Sequence, residues 1–148
     1  VAVLLAAVVV VEDGGGGGDD GPTTHVVTQA CGPLHRHLVS HGLAKSLALF
    51  FRPRDGRTVT LHVATHTREM RAMRRELIGV SRYNPGFRFR LHAVSADTTV
   101  RDQFRPCAGQ RLEVTAILPE DTDVALYVDA DTLFLDSAHL LEDWGRKE

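Results

Sequence analysis

The stretch that decides the fold is Ala125-Leu-Tyr-Val-Asp-Ala-Asp-Thr-Leu-Phe-Leu135. Its apolar, β-prone start predicts a strand that delivers two aspartates, Asp129 and Asp131, with only Ala130 between them. Side chains two apart on a strand point the same way, roughly 7 Å apart, so both carboxylates can face one small cation. Hard carboxylate oxygens suit Mn²⁺ or Mg²⁺, ions that keep positions open for substrate phosphates. Such an ion offsets charge on a departing diphosphate, which is what a nucleotide-diphosphate site needs. The same spacing equally suits a strand end whose two acids are merely solvated.

Working outward from that strand, the chain alternates strand and helix patterns. His25-Val-Val-Thr-Gln-Ala30 is β-prone and is ended by the turn signal Cys31-Gly32-Pro33. Leu34, Leu38, Leu43, Leu47 and Phe50 come next, near helical spacing. Thr58 to Ala64 alternates as a strand, and Thr67 is placed to cap a helix through Met70, Met73, Leu77 and Ile78. In Phe87 to Val94, Phe87, Phe89 and Leu91 share one face while Arg88, Arg90 and His92 share the other. Phe104 to Leu118 reads as a helix, Val124 to Val128 as the fourth strand, and the tail as a helix capped by Ser137 with Leu140, Leu141 and Trp144 inward. This order predicts a largely parallel sheet with helices on both faces. Ligands of such sheets collect at the carboxyl ends of strands, where the turn after Ala30 and the Asp129-Ala130-Asp131 segment both lie.

Composition narrows the function classes. At 148 residues the chain holds one domain with a sizeable core. A net charge of −2 argues against a polyanion as main partner. Arg68, Arg71, Arg74 and Arg75, interleaved with Glu69 and Glu76, form a solvated helix face rather than a nucleic-acid surface. The two cysteines, Cys31 and Cys107, make no disulfide scaffold; they could pair with each other in an oxidising compartment, but each is read as a small buried residue. Eight histidines include His35, His37 and His41 on one helical segment, but no third ligand marks a zinc site there.

The beginning of the chain has a different character. Val1 to Val11 is apolar and uncharged, shorter than the roughly 20 residues of a spanning helix. It reads as the remnant of a signal peptide or signal-anchor segment, with a buried first strand as the competing reading, weakened by the low-complexity segment after it. Residues 12–22 (EDGGGGGDDGP) form a Gly/Asp-rich flexible stem, and residues 23–148 the folded domain. The glycine run is no phosphate loop, since no Gly-Lys-Ser/Thr comes after it.

An apolar strand ending in Asp-x-Asp also resembles the haloacid-dehalogenase phosphatases. Those want Thr four positions after the first Asp, where this chain has Leu133, and carry the motif on the first strand rather than the fourth. A fuller match includes the preceding helix. Phe104-Arg-Pro-Cys-Ala-Gly-Gln-Arg-Leu112 together with Leu126-Tyr-Val-Asp-Ala-Asp-Thr-Leu-Phe-Leu135 resembles glycosyltransferase family 8, and within it the glucoside xylosyltransferases. His25-Val-Val-Thr-Gln-Ala-Cys-Gly32 is similar to their first nucleotide-binding strand and turn.

That resemblance implies a GT-A, Rossmann-like α/β fold, a UDP-sugar donor, with UDP-xylose favoured, and a retaining transfer forming an α-linkage. It implies Mn²⁺ or Mg²⁺ on Asp129 and Asp131, with Asp129 and Ala130 also near the donor. It places Gln29, Ala30 and Cys31 by the uracil and ribose, and Gln110 and Arg111 by the donor sugar and phosphates. Read from the residues alone, Arg111 also suits a surface salt bridge with Glu113 or Glu120, and Gln110 a local backbone cap. The implied acceptor is a glycoprotein bearing O-glucosylated EGF-like repeats, and the implied setting a type II protein of the Golgi or endoplasmic reticulum membrane, held by its N-terminal anchor with the domain luminal. Family members have a second half supplying a His metal ligand and the acceptor surface, so the chain reads as an inactive fragment of an active parent. The alternative expectation is a non-catalytic nucleotide-sugar-binding domain of the secretory pathway.

Overall fold

The computed structural model describes residues 7–10, 22–52, 56–94 and 117–146. Four of its strands run parallel: β2 (Thr23–Ala30), β3 (Thr58–His66), β4 (Phe87–Val94) and β5 (Val124–Tyr127). A short strand β1 (Ala7–Val10) pairs antiparallel with β5, Ala7 opposite Tyr127, and the sheet order is β1-β5-β2-β3-β4. Residues 7–10 lie inside the segment read from sequence as an anchor remnant; their consecutive valines are also strong strand formers. Among the described residues no helix is long and apolar enough to cross a membrane.

Between β2 and β3 the chain is helical from Gly32 to Phe50, in three phases: α1 (Gly32–His37), a π-helical turn (Leu38–Leu43) and α2 (Ala44–Phe50). The wider turn shifts the helical phase, which is why Val39, Leu43, Ala44, Leu47 and Ala48 reach the core while Leu34 is 69% exposed. Between β3 and β4 runs α3 (Thr67–Ser81), whose Met73, Leu77 and Val80 are buried at helical spacing while Arg68, Arg71, Arg74 and Arg75 face solvent. Arg36 of α1 ties the two helical segments together through Glu69 at 2.7 Å and Glu76 at 3.3 Å. Asn84 caps the end of α2 from the far side, its amide donating to the carbonyls of Ala48 and Phe51. Those carbonyls would otherwise be left over at the helix terminus.

The main core lies on one sheet face. Val26 and Ala30 of β2, Val59, Leu61 and Val63 of β3, Phe87 of β4 and Leu126 of β5 pack there against these helices, with Phe89 and Leu91 at the margin. The π-helical turn, α2 and α3 pack on this face, as does α4 (His139–Gly145) through Leu141 and its N-cap Ala138. On the other face Val27 and Ala125 are covered by Ile117, Leu118 and Tyr127. The expected helix over Phe104 to Leu118 lies outside the described residues up to 116.

Helix boundaries differ from expectation at both expected caps. His66, not Thr67, is the N-cap of α3, and Ala138, not Ser137, that of α4; neither makes a side-chain capping bond. Ser137 is instead buried and spans two elements, accepting the Arg52 amide at 3.3 Å and bonding His139 Nδ1 at 2.6 Å. In α4 the expected inward residues Leu140 and Trp144 are 48% and 61% exposed, while His139 and Glu142 are buried. Glu142 faces inward because it bonds the buried Thr24 hydroxyl and receives Arg146 at 2.9 Å. A buried carboxylate is tolerated when such partners replace its water.

Candidate functional site

Strand order defines the site before any side chain is considered. From β2 the chain adds β3 and β4 on one side, then returns to place β5 on the other. The reversal falls between β2 and β5, and in open parallel sheets ligands bind in the crevice beyond the carboxyl ends at such a point. Register makes the two ends adjacent. Val27 lies beside Tyr127, and the Val128 amide donates to the Val27 carbonyl at 2.9 Å. Asp129 and Gln29 each lie two residues beyond the Val27–Tyr127 pair, at the carboxyl ends of the two adjacent strands.

The acid pair is held differently from the sequence expectation. β5 ends at Tyr127, so Asp129 and Asp131 are not strand residues sharing a face. The Thr132 amide donates to the Asp129 carbonyl at 3.0 Å, closing a four-residue turn with the acids at its first and third positions. Both acids are exposed, while Ala130 tucks toward the core. On either side a buried side chain fixes the loop: Val128 at 2% exposure and Phe134 at 7%. The two carboxylates thus sit in a tight turn between two anchors, in place of the strand alternation expected from sequence.

On β2, Gln29 is buried on the face opposite the main core, and its amide Nε2 has no hydrogen-bond partner among the described residues. A buried donor left in this state costs about 1–3 kcal/mol, so the position invites an acceptor from a ligand. Ala30 points the other way, fully buried in the main core, and its carbonyl takes the Thr65 hydroxyl at 2.7 Å. It supports the crevice from beneath. Cys31 is half-buried and disulfide-bonded, which corrects the reading of it as a small buried thiol. Gly32 then turns the chain into α1 with φ of 85°, a left-handed conformation that glycine adopts without penalty. Gln110, Arg111 and Cys107 lie outside the described residues.

Does this constellation fit a divalent cation? Two exposed carboxylates one residue apart match the way Mg²⁺ and similar ions are held, by one or two acids with the remaining positions left to water and substrate phosphates. Among the described residues no group of three or more His, Cys, Asp or Glu side chains is gathered to hold a metal ion. The acids therefore fit the ion as a partial set.

Sequence inspection missed a second polar feature. On the sheet face opposite the main core, His25 of β2, His62 of β3 and His92 of β4 form a row, with His25 Nδ1 to His62 Nε2 at 2.9 Å and His62 Nδ1 to His92 Nε2 at 3.1 Å. Each contact needs one N–H and one lone pair, so neutral rings satisfy both only when all donate in the same direction. His62 is fully buried, and burial, with the neighbouring His25, His92 and Arg90 charges, pushes its pKa from 6.5 down to about 3. Burial lowers His25 and His92 as well; Glu142 and Asp121 pull His25 back upward, and Arg90 opposes protonation of both. The signal lay in register: His62 and His92 occupy the same alternation as Thr60 and Arg90, but only the strand order puts them together.

No family model matches the chain. Glucoside xylosyltransferase 1 of Danio rerio is 30% identical over 124 residues, which are 80% of this chain and 29% of that protein. The apo crystal structure of mouse xyloside xylosyltransferase 1 aligns with a TM-score of 0.56 at 11% identity, covering 84% of this chain and 49% of that one. At that identity the likeness is one of fold, and it agrees with a Rossmann-like GT-A sheet. The chain spans under a third of the curated relative's length.

Proposed function

We propose that this chain, a relative of the xylosyltransferases of glycosyltransferase family 8, binds the donor of a UDP-sugar-dependent, retaining glycosyl transfer. The observation that carries the reading is that the Asp129–Asp131 turn follows β5 at the topological switch point, next to the strand whose Gln29 amide has no partner among the described residues. Asp129 and Asp131 would hold Mn²⁺ or Mg²⁺, which when bound offsets charge on the leaving diphosphate. Gln29 donates from its buried amide to an acceptor on the uracil or ribose, and the chain at Ala30 and Cys31 shapes the wall of that pocket. Gln110 and Arg111 contribute contacts to the sugar and phosphates, a guanidinium being suited to paired oxygens. UDP-xylose is the favoured donor and O-linked glucose on EGF-like repeats the favoured acceptor. Because residues 7–10 pair with β5 inside the sheet, the anchor and stem expected over residues 1–22 are not part of this proposal, which keeps the lumen of the secretory pathway as the setting of the domain.

The test is calorimetry of UDP with the chain, with and without Mn²⁺. Binding that requires Mn²⁺ and is lost in Asp131→Ala is expected. Binding of UDP that ignores both the ion and the substitution would remove the acids from the site. A non-catalytic nucleotide-sugar-binding domain is the second reading, favoured by the exposure of both acids, which leaves them a weak hold on an ion; it predicts UDP binding without sugar transfer by the protein that carries this chain.

A further inference from the structure

We infer that Ser46, in the first turn of α2, is a positioning residue for the acid turn, acting through the backbone of Phe134. This rests on the reading of Asp129 and Asp131 as metal ligands, and its geometry is independent of that reading. The Ser46 hydroxyl donates to the Leu43 carbonyl at 2.9 Å and accepts the Phe134 amide at 3.0 Å. The first bond aims the proton back into the helix, so a lone pair is left facing the loop. Leu43 closes the π-helical turn, in which the Ala44 amide reaches back to Val39. Widened turns of this kind recur at functional sites, because they shift the phase of the downstream helix by one residue.

The same turn meets the loop a second time. Gly42 has no side chain where the loop passes: a Cβ there would lie 3.4 Å from Leu133 Cδ2. Leu133 therefore rides over Gly42 while the next amide is taken by Ser46, and Phe134 drops into the main core. At the other end of the loop the Val128 amide is fixed to β2. Five residues, Asp129 to Leu133, are thus suspended between two anchored amides, one belonging to the sheet and one to the helix. Without the Ser46 bond the second anchor relies on side-chain packing, of Phe134 in the core and Leu133 over Gly42, which does not fix the direction of the backbone leading to Asp131.

The experiment uses the full chain, its Ser46→Ala and Ser46→Thr variants, and Mn²⁺ as probe. In Ser46→Ala, hydrogen exchange at the Phe134 amide should quicken by about fivefold, the equivalent of one net hydrogen bond at about 1.4 kcal/mol per factor of ten. Resonances of Asp129 to Thr132 should shift, and Mn²⁺ affinity should fall with them by up to the same factor. Ser46→Thr, which retains the hydroxyl, should restore exchange and affinity. Unchanged exchange at Phe134 with unshifted turn resonances in Ser46→Ala overturns the inference, as does unchanged Mn²⁺ affinity where Asp131→Ala abolishes binding. If Asp131→Ala binds Mn²⁺ as the unaltered chain does, the metal reading falls by itself, and amide exchange still decides the role of Ser46.

Discussion

Acidification should weaken this fold through His62, and the size of the effect can be worked out. A buried imidazole between two others is neutral in the folded chain, with its pKa lowered from 6.5 to about 3, whereas in the unfolded chain it takes a proton near 6.5. Because the folded value is depressed, the stability contribution is complete above pH 6.5 and is lost as pH falls from 6.5 toward 3. At pH 5 the unfolded state gains about 2 kcal/mol from protonating this ring while the folded state gains almost nothing. That figure is unchanged if the folded value is moved by a unit, since the ring would still be neutral at pH 5. Lowered values at His25 and His92 add to the loss with the same sign. The assay is urea unfolding of the chain at pH 7.5, 6.5, 5.5 and 5.0 beside His62→Phe. The variant is expected to be less stable at pH 7.5, because His25 Nδ1 and His92 Nε2 lose their partner, and to show a shallower decline with acid. Equal declines in the two proteins would refute the account, since the titrating ring would then be elsewhere.

Glu142→Ala should cost about 1–3 kcal/mol in the same urea assay, because it strands the buried Thr24 hydroxyl and releases Arg146, whose pKa is raised chiefly by the Glu142 hydrogen bond. Gly32→Ala should cost about 1–2 kcal/mol although no described atom lies within 4 Å of the added Cβ, since the penalty there is one of backbone conformation; a neutral result would mean that the turn can relax.

Much of the fold was legible because the elements that matter obey their local patterns. β-branched runs became β2 and β3, the alternation of Phe87, Phe89 and Leu91 became the core side of β4, and the periodic apolar residues of 67–81 became α3. Where local pattern and long-range partner compete, the partner won. Leu140 and Trp144 look like the inward face of α4, but His139 and Glu142 find Ser137 and Thr24, the second of them 118 residues away in sequence. The π-helical turn left no mark that a 3.6-residue period would detect, and its phase shift is what exposes Leu34. The histidine row needed the pairing of three strands before it could be seen.

The acid turn shows most directly how a sequence pattern can be right about place and wrong about geometry. Ala125-Leu-Tyr-Val alternates as a strand should, and extending that alternation through Asp131 is natural, yet Asp-Ala-Asp-Thr is equally a turn sequence, with Asp favoured at the first position. The turn wins because Val128 still has a partner in the Val27 carbonyl, whereas from Asp129 onward the chain satisfies itself through Thr132 and then Ser46. An exposed acid pair on such a turn selects no ligand by charge alone, since solvent screens it. Selectivity has to come from a neighbouring group, and on β2 that is a buried amide with no partner among the described residues. A ligand that brings anionic oxygens to a divalent cation held by the turn, and an acceptor to Gln29, would satisfy both at once. A nucleoside diphosphate has that pair of features, and a bare phosphate has only the first.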